Sequence, residues 1–286
     1  MATCTIGAKG EECESSSIPN WLELPRDIAV NILQRLDTID IVTSACLVCP
    51  TWWNYCKEPL VWRTIHMTAN SLRWNNQDLE KICRYAVERS CGHLEEIDIE
   101  HFATNDLLQC IAEKASNLRS MKILKGWGIS EKVFTDVVRK LPQLEEVDIS
   151  MCPTLLKDSL ETLCLTCPLL KVLKFENVGE VSYIGGDNND DDAYMISETL
   201  PRLCHLGIKG NKLTNSGLLA ILDGCPLLES LDMEGCSNLD LDEGLKEKCL
   251  EQIKDVRLPA QKNHEYYEYR DFLEDCYYAY FDPYDF

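Results

Sequence analysis

The chain has 286 residues, 45% of them hydrophobic and 8% aromatic, which is enough apolar material for one large core or two modest ones. Its 48 acidic against 28 basic residues give a net charge of -20, which repels phosphate backbones and anionic lipid and argues against nucleic acid or membrane as partners. The opening MATCTIGAKGEECESSS has no apolar run of secretion-signal length, and no stretch approaches the roughly 20 apolar residues of a membrane span, so a location in the nucleus or cytoplasm is expected. Residues 1–19 read as a disordered N-terminus.

Residues 20–62 pack three short helical segments together. In the first, Pro25 tolerates its missing N–H at a helix start, Asp27 suits the helix dipole, and Ile28, Ile32, Leu33 and Leu36 make an apolar stripe. A second segment is expected from Asp40, bearing Ile41, Val42, Ala45 and Val48, with Pro50 ending it and Pro59 ending a third. So small a unit cannot bury all its apolar surface and is expected to leave some for a partner. Residues 63–92 then connect it to the C-terminal two thirds of the chain, through a helix whose apolar face is Leu79, Ile82, Cys83, Ala86 and Val87.

From 93 to 259 the pattern L-x-x-L-x-L occurs seven times: Leu94/Ile97/Ile99, Leu118/Met121/Ile123, Leu144/Val147/Ile149, Leu170/Leu173/Phe175, Leu203/Leu206/Ile208, Leu228/Leu231/Met233 and Ile253/Val256/Leu258. The starts lie 24, 26, 26, 33, 25 and 25 residues apart, the spacing of leucine-rich repeats. Between strands the apolar spacing turns helical, as in Phe134, Val137, Val138 and Leu141, and Pro142, Pro168, Pro201 and Pro226 stop helices before the next strand. The fold class expected is α/β: a helical N-terminal unit, then a solenoid with parallel strands on its concave face and helices on its convex face. The long interval holds an acidic insertion at about 177–193, read as a rim loop. Asp187, Asn189, Asp191 and Glu198 match calcium-loop spacing, but Asp192 stands where that loop needs Gly, and calcium is set aside. Residues 260–286, acidic and rich in tyrosine, read as a cap over the last repeat or as a tail.

Two motif sets resemble a known family. Leu24–Pro25, Asp27–Ile28, ILQRL at 32–36, Asp40–Ile41, VCPTW at 48–52 and PLVW at 59–62 look like an F-box from end to end, with Pro50 a departure where many members are basic. The repeats resemble the cysteine-containing leucine-rich repeats of F-box proteins, with Cys152 and Cys236 after their strands. The resemblance implies a non-catalytic substrate receptor of an SCF-type ubiquitin ligase, with a Skp-type adaptor, and through it a cullin, as partners. By motif match the adaptor contacts are Leu24, Pro25, Ile28, Ile32, Leu36, Ile41 and Trp52. A repeat scaffold outside ubiquitination and a receptor gated by an anionic small molecule are the alternatives.

No enzyme or metal motif emerges. The five histidines form no H-E-x-x-H pair, the C-x-x-C pairs Cys46/Cys49 and Cys164/Cys167 lack zinc-site context, and no cofactor is implied. The sixteen cysteines read as reduced core residues. Charge sign alternates down two rows of the repeats: Asp98, Lys122, Asp148, Lys174, Gly207, Asp232, Arg257, and Glu95, Arg119, Glu145, Lys171, Cys204, Glu229, Lys254. Parallel strands lie about 4.8 Å apart, so both rows are expected to form ladders of opposite charge. The fifth repeat breaks them. Gly207 is expected to open a notch there, making Lys174, Cys204, His205, Gly207, Lys209 and Asp232 the candidate contact for a target protein of unknown identity.

Overall fold

The computed structural model describes residues 24–68, 74–175 and 190–259. Its first part holds the helices α1 (Arg26–Leu33), α2 (Thr38–Thr43) and α3 (Pro50–Tyr55), with 3-10 turns at Ala45–Leu47 and Pro59–Trp62. Asp37 caps α2, its carboxylate accepting the Ile39 N–H at 2.7 Å. The helix boundaries differ from expectation at both prolines. Pro50 opens α3 instead of closing α2: Cys49 is extended and its sulfur accepts the Trp52 N–H, so the proline occupies the position where no N–H is needed. Pro59 likewise opens the second 3-10 turn.

Beyond it, eight strands form one parallel sheet in chain order: β1 (Thr64–Met67), β2 (Glu96–Glu100), β3 (Ser120–Leu124), β4 (Glu146–Asp148), β5 (Val172–Lys174), β6 (His205–Gly207), β7 (Ser230–Asp232) and β8 (Asp255–Arg257). Parallel neighbours require crossovers, supplied by α4 (Asn76–Arg89), α5 (Asn105–Lys114), α6 (Glu131–Val138), α7 (Lys157–Thr166), α8 (Asp191–Thr199), α9 (Asn215–Gly224) and α10 (Glu243–Gln252). From α4 to α9 each helix packs on the next, forming a second layer. Alternation decides the faces: Ile97, Ile99, Met121, Ile123, Val147, Leu173, Leu206 and Leu231 are at most 2% exposed, while the residues between them look outward.

All seven expected strands are present, preceded by one that was not foreseen. In register, Ile65 lies beside Ile97 and Met67 beside Ile99, so Trp62, Ile65 and Met67 are an eighth copy of the repeat pattern with Trp in the leading position. Trp62 is fully buried, donates its indole N–H to the Cys56 carbonyl at 2.9 Å, and meets Tyr85 edge to face at 5.8 Å. The Thr38 hydroxyl accepts the His66 N–H at 3.1 Å, tying α2 to β1. One core therefore runs unbroken from Leu33 and Ile41 through Trp62 and Ile65 to Ile253. β1 and α4 are thus a strand–helix repeat that fuses the helical unit to the sheet.

The acidic insertion ends earlier than expected. Asp190 accepts the Thr214 N–H and hydroxyl, each at 2.6 Å, and α8 starts at Asp191. Asp191 and Glu198 thus stand on one helix, which is incompatible with a calcium loop spanning them. The rest of the insertion, 176–189, lies outside the described residues, as do 1–23, 69–73 and the C-terminal segment 260–286 for which a cap or tail was expected.

Because Trp62 serves both parts, Trp62→Ala is expected to cost about 3–5 kcal/mol in denaturant unfolding. A loss below about 1 kcal/mol would contradict the shared core.

Candidate interaction surfaces

The helical unit buries little of itself. Only Ala29 and Leu33 of α1 are buried, and α3 buries no residue. Five large apolar side chains stay exposed among its described residues: Ile28 (46%), Leu47 (74%), Val48 (61%), Trp53 (43%) and Leu60 (50%). They sit on elements that touch one another. α1 packs on α3 and on the Pro59–Trp62 turn, the Ala45–Leu47 turn packs on α3, and the Gln34 amide donates to the Leu60 carbonyl at 2.6 Å. An Arg26–Glu58 ion pair ties the same elements. Exposed apolar area is unfavourable by about 25 cal/mol per Å², so concentrating it on one small unit marks a surface meant to be covered.

Of the seven adaptor contacts expected from the motif, Pro25 and Ile28 are exposed, while Leu24, Ile32, Leu36 and Trp52 are half-buried. Leu36 and Trp52 lean on the core. Ile41 must be corrected: α2 packs against α4 and β1, leaving Ile41 1% exposed and out of reach of a partner. Leu47, Val48, Trp53 and Leu60, which the motif match did not single out, are exposed on the same unit. A continuous helix from Asp40 would bury Val48, but α2 stops at Thr43 and the new turn rotates Leu47 and Val48 outward. Only the break at Ser44 distinguishes the two cases.

On the outward face of the sheet the rows of opposite charge are in register. Asp98, Lys122, Asp148, Lys174, Gly207, Asp232 and Arg257 are successive strand partners. Lys174 pairs with Asp148 at 3.1 Å and Arg257 with Asp232 at 3.4 Å. Lys122 instead takes Glu146, at 3.0 Å. In the second row Glu145 is held by Arg119 Nε at 2.8 Å and by Lys171 at 2.6 Å, and those two cations keep its carboxyl below the usual range. Lys254 meets Glu229 at 3.0 Å. Both rows start one repeat earlier than the sequence suggested, with His66 lying 3.7 Å from Asp98 and Arg63 lying 2.6 Å from Glu95.

The expected notch is closed. Gly207 is buried beneath the stem of Lys174, whose Cγ would come within 3.2 Å of an added Cβ. Asp232 is engaged by Arg257 and by Lys209 at 3.6 Å, and Lys209 also reaches Glu234 at 3.1 Å. Cys204 is half-buried, and of the six only Lys174 and His205 stand exposed. The flexible lysine fills the space that its glycine neighbour leaves.

The cysteines do more than fill volume. Cys152 accepts the Gly126 N–H and donates to the Ile123 carbonyl, both at 3.3 Å, and Cys236 donates to the Ile208 carbonyl at 3.2 Å. Each thus adds a hydrogen bond to backbone of the preceding repeat, Cys236 sharing the Ile208 carbonyl with the Asn211 N–H at 3.1 Å. Burial pushes the thiols of Cys167 and Cys236 up to about 12. Cys49 caps α3.

A short helical unit with an uncovered apolar surface, continuing into a leucine-rich-repeat sheet, defines the F-box/leucine-rich-repeat class. The family model for F-box-like domains matches residues 21–68. F-box/LRR-repeat protein 23 of Arabidopsis thaliana is 41% identical over 86% of this chain, covering 55% of that protein. F-box protein SKIP19 of the same plant is 41% identical over 86% of this chain and 79% of its own length, and F-box/LRR-repeat protein 22 is 42% identical over 88% and 79%. The chain belongs to the F-box/LRR-repeat family.

His66 carries a pH dependence. Hydrogen bonding to Asp98 raises its pKa despite partial burial, so the protonated pair stabilises the fold fully below the unfolded value of about 6.5 and is lost as pH rises through the raised folded value. The stability gap between wild type and His66→Gln should therefore shrink on going from about pH 6 to about pH 8, as read by thermal unfolding. A gap independent of pH would remove the ion pair.

Proposed function

We propose that this chain is the target-recognition subunit of a cullin-based, SCF-type ubiquitin ligase. A Skp-type adaptor docks on the helical unit and links it to the cullin, and the outward face of the repeats receives a target protein. The observation that carries the reading is the exposed apolar set Ile28, Leu47, Val48, Trp53 and Leu60, which falls inside the residues matched by the F-box-like family model. Family membership supports the same assignment.

The chemistry of ubiquitin transfer belongs to a separate conjugating enzyme. What this chain contributes is effective concentration, holding a target lysine near the thioester. Such a role favours a stiff connection between adaptor and target, and the continuous core through Trp62 and β1 supplies one. The proposed setting is the nucleus or cytoplasm, where such ligases work.

The test is calorimetric titration of a purified Skp-type adaptor into the full chain. Leu47→Asp with Leu60→Asp should weaken binding at least about tenfold, equivalent to about 1.4 kcal/mol, and leave the melting temperature unchanged because both side chains are already in water. Unchanged affinity would contradict the adaptor surface. Ile41→Asp is unsuitable for this purpose, since a charge at that buried position would unfold the unit.

A further inference from the structure

Two residues past the third apolar position of the repeat pattern, after Ile99, Ile123, Ile149, Ile208 and Met233, the backbone turns left-handed, at His101 (φ 72°), Lys125 (φ 55°), Met151 (φ 57°), Gly210 (φ 67°) and Gly235 (φ 77°). The repeat imposes this conformation. The N–H groups of His101, Lys125 and Gly210 each donate to a carbonyl of the next repeat, that of Leu124, Ser150 and Glu234, at 3.0, 3.1 and 2.9 Å. In this region a Cβ crowds the following carbonyl, and glycine escapes that strain. The repeats of β6 and β7 use glycine. The three consecutive repeats of β2–β4 instead place large side chains at the strained position, side by side along one edge of the sheet.

A purely structural turn would be served better by glycine, and strained residues of this kind gather where function requires a side chain. Their surroundings say what they could hold. Lys125 is neutralised by Glu100 at 2.7 Å and lies 3.3 Å from His101 Nε2. Burial and the nearby Lys125 lower the His101 pKa, favouring a neutral imidazole. Trp127 is half-buried two residues past Lys125, its backbone N–H donating to the Lys125 carbonyl at 3.0 Å. The edge thus offers an imidazole, a lysine stem, a thioether and an indole, with its charge internally matched. Three neighbouring strands span about 10 Å, the length of about three residues of extended chain.

We propose that the rim formed by His101, Lys125 and Met151 is the edge that grips the target, and that its occupant is an extended target segment presenting an apolar or aromatic side chain. This rests on the reading of the repeats as the target-binding part. It moves the contact from the repeat of β6 to those of β2, β3 and β4.

The full chain, bound to its Skp-type adaptor, would be panned against a displayed library of random dodecapeptides, and selected peptides titrated into wild type and into the variant His101→Gly/Lys125→Gly/Met151→Gly. The expected result is enrichment of peptides with apolar or aromatic residues, at least tenfold weaker binding to the triple variant, and a melting temperature equal to or above wild type. Absence of enrichment, selection of purely charged peptides, or equal binding to the triple variant would overturn the proposal. A lower melting temperature would assign the three side chains to the fold and overturn it too. Adaptor affinity, measured separately, tests the ligase reading, and panning the chain without adaptor keeps the rim result readable if that reading fails.

Discussion

The structure depends on the pairing of β1 with β2 above a buried Trp62. Four residues, Thr64–Met67, lie in register with Glu96–Ile99, and through them the sheet begins inside what would otherwise be a separate helical unit. The three short helices bury too little to stand alone: α3 buries nothing, and α1 buries two side chains. They borrow the core of the first repeat by way of Ile41, Val61 and Trp62. Having borrowed it, they can leave Leu47, Val48 and Leu60 in water without unfolding. The uncovered surface and the fused core are two results of one arrangement.

The outward face of the sheet follows a different logic. Its charges are largely answered from within, Glu145 by two cations and Asp232 by two more. Exposed pairs of this kind contribute about 0–1 kcal/mol each, so the ladder matters less for stability than for leaving little net field along the strands. With the strand rows balanced, distinctive chemistry shifts to the rim, where His101, Lys125 and Met151 occupy a backbone conformation suited to glycine. The thiol row works beneath the surface. Cys152 and Cys236 donate to the Ile123 and Ile208 carbonyls of the preceding repeats.

How much of this was legible depends on the range of the interaction. The strands of seven repeats could be read directly, because an alternating apolar pattern at a spacing near 25 residues has one economical solution, and the order of charges in the ladder followed from it. The eighth strand was hidden by a single substitution: Trp62 leads its pattern where the others have Leu or Ile, and PLVW had already been claimed as the end of the helical unit. Pro50 misled because a proline stops one helix and starts another equally well, and only the extended Cys49 decides between them. The notch at Gly207 failed for a reason no sequence shows, since a lysine on the neighbouring strand chose a rotamer that covers it. The left-handed residues were invisible too, as His, Lys and Met carry no sign of the φ they adopt.

The N-terminal helices and the repeats share one core and should behave as one cooperative body. Native-state hydrogen exchange tests it most directly, by comparing amides of α2 (Thr38–Thr43) and β1 (Thr64–Met67) with those of β2 (Glu96–Glu100). If the core is shared, the three sets should exchange with a common opening free energy and respond together to denaturant. Amides of α2 that open at a distinctly lower free energy, while β1 and β2 stay protected, would contradict it and leave the helices as a separately melting unit attached to the sheet.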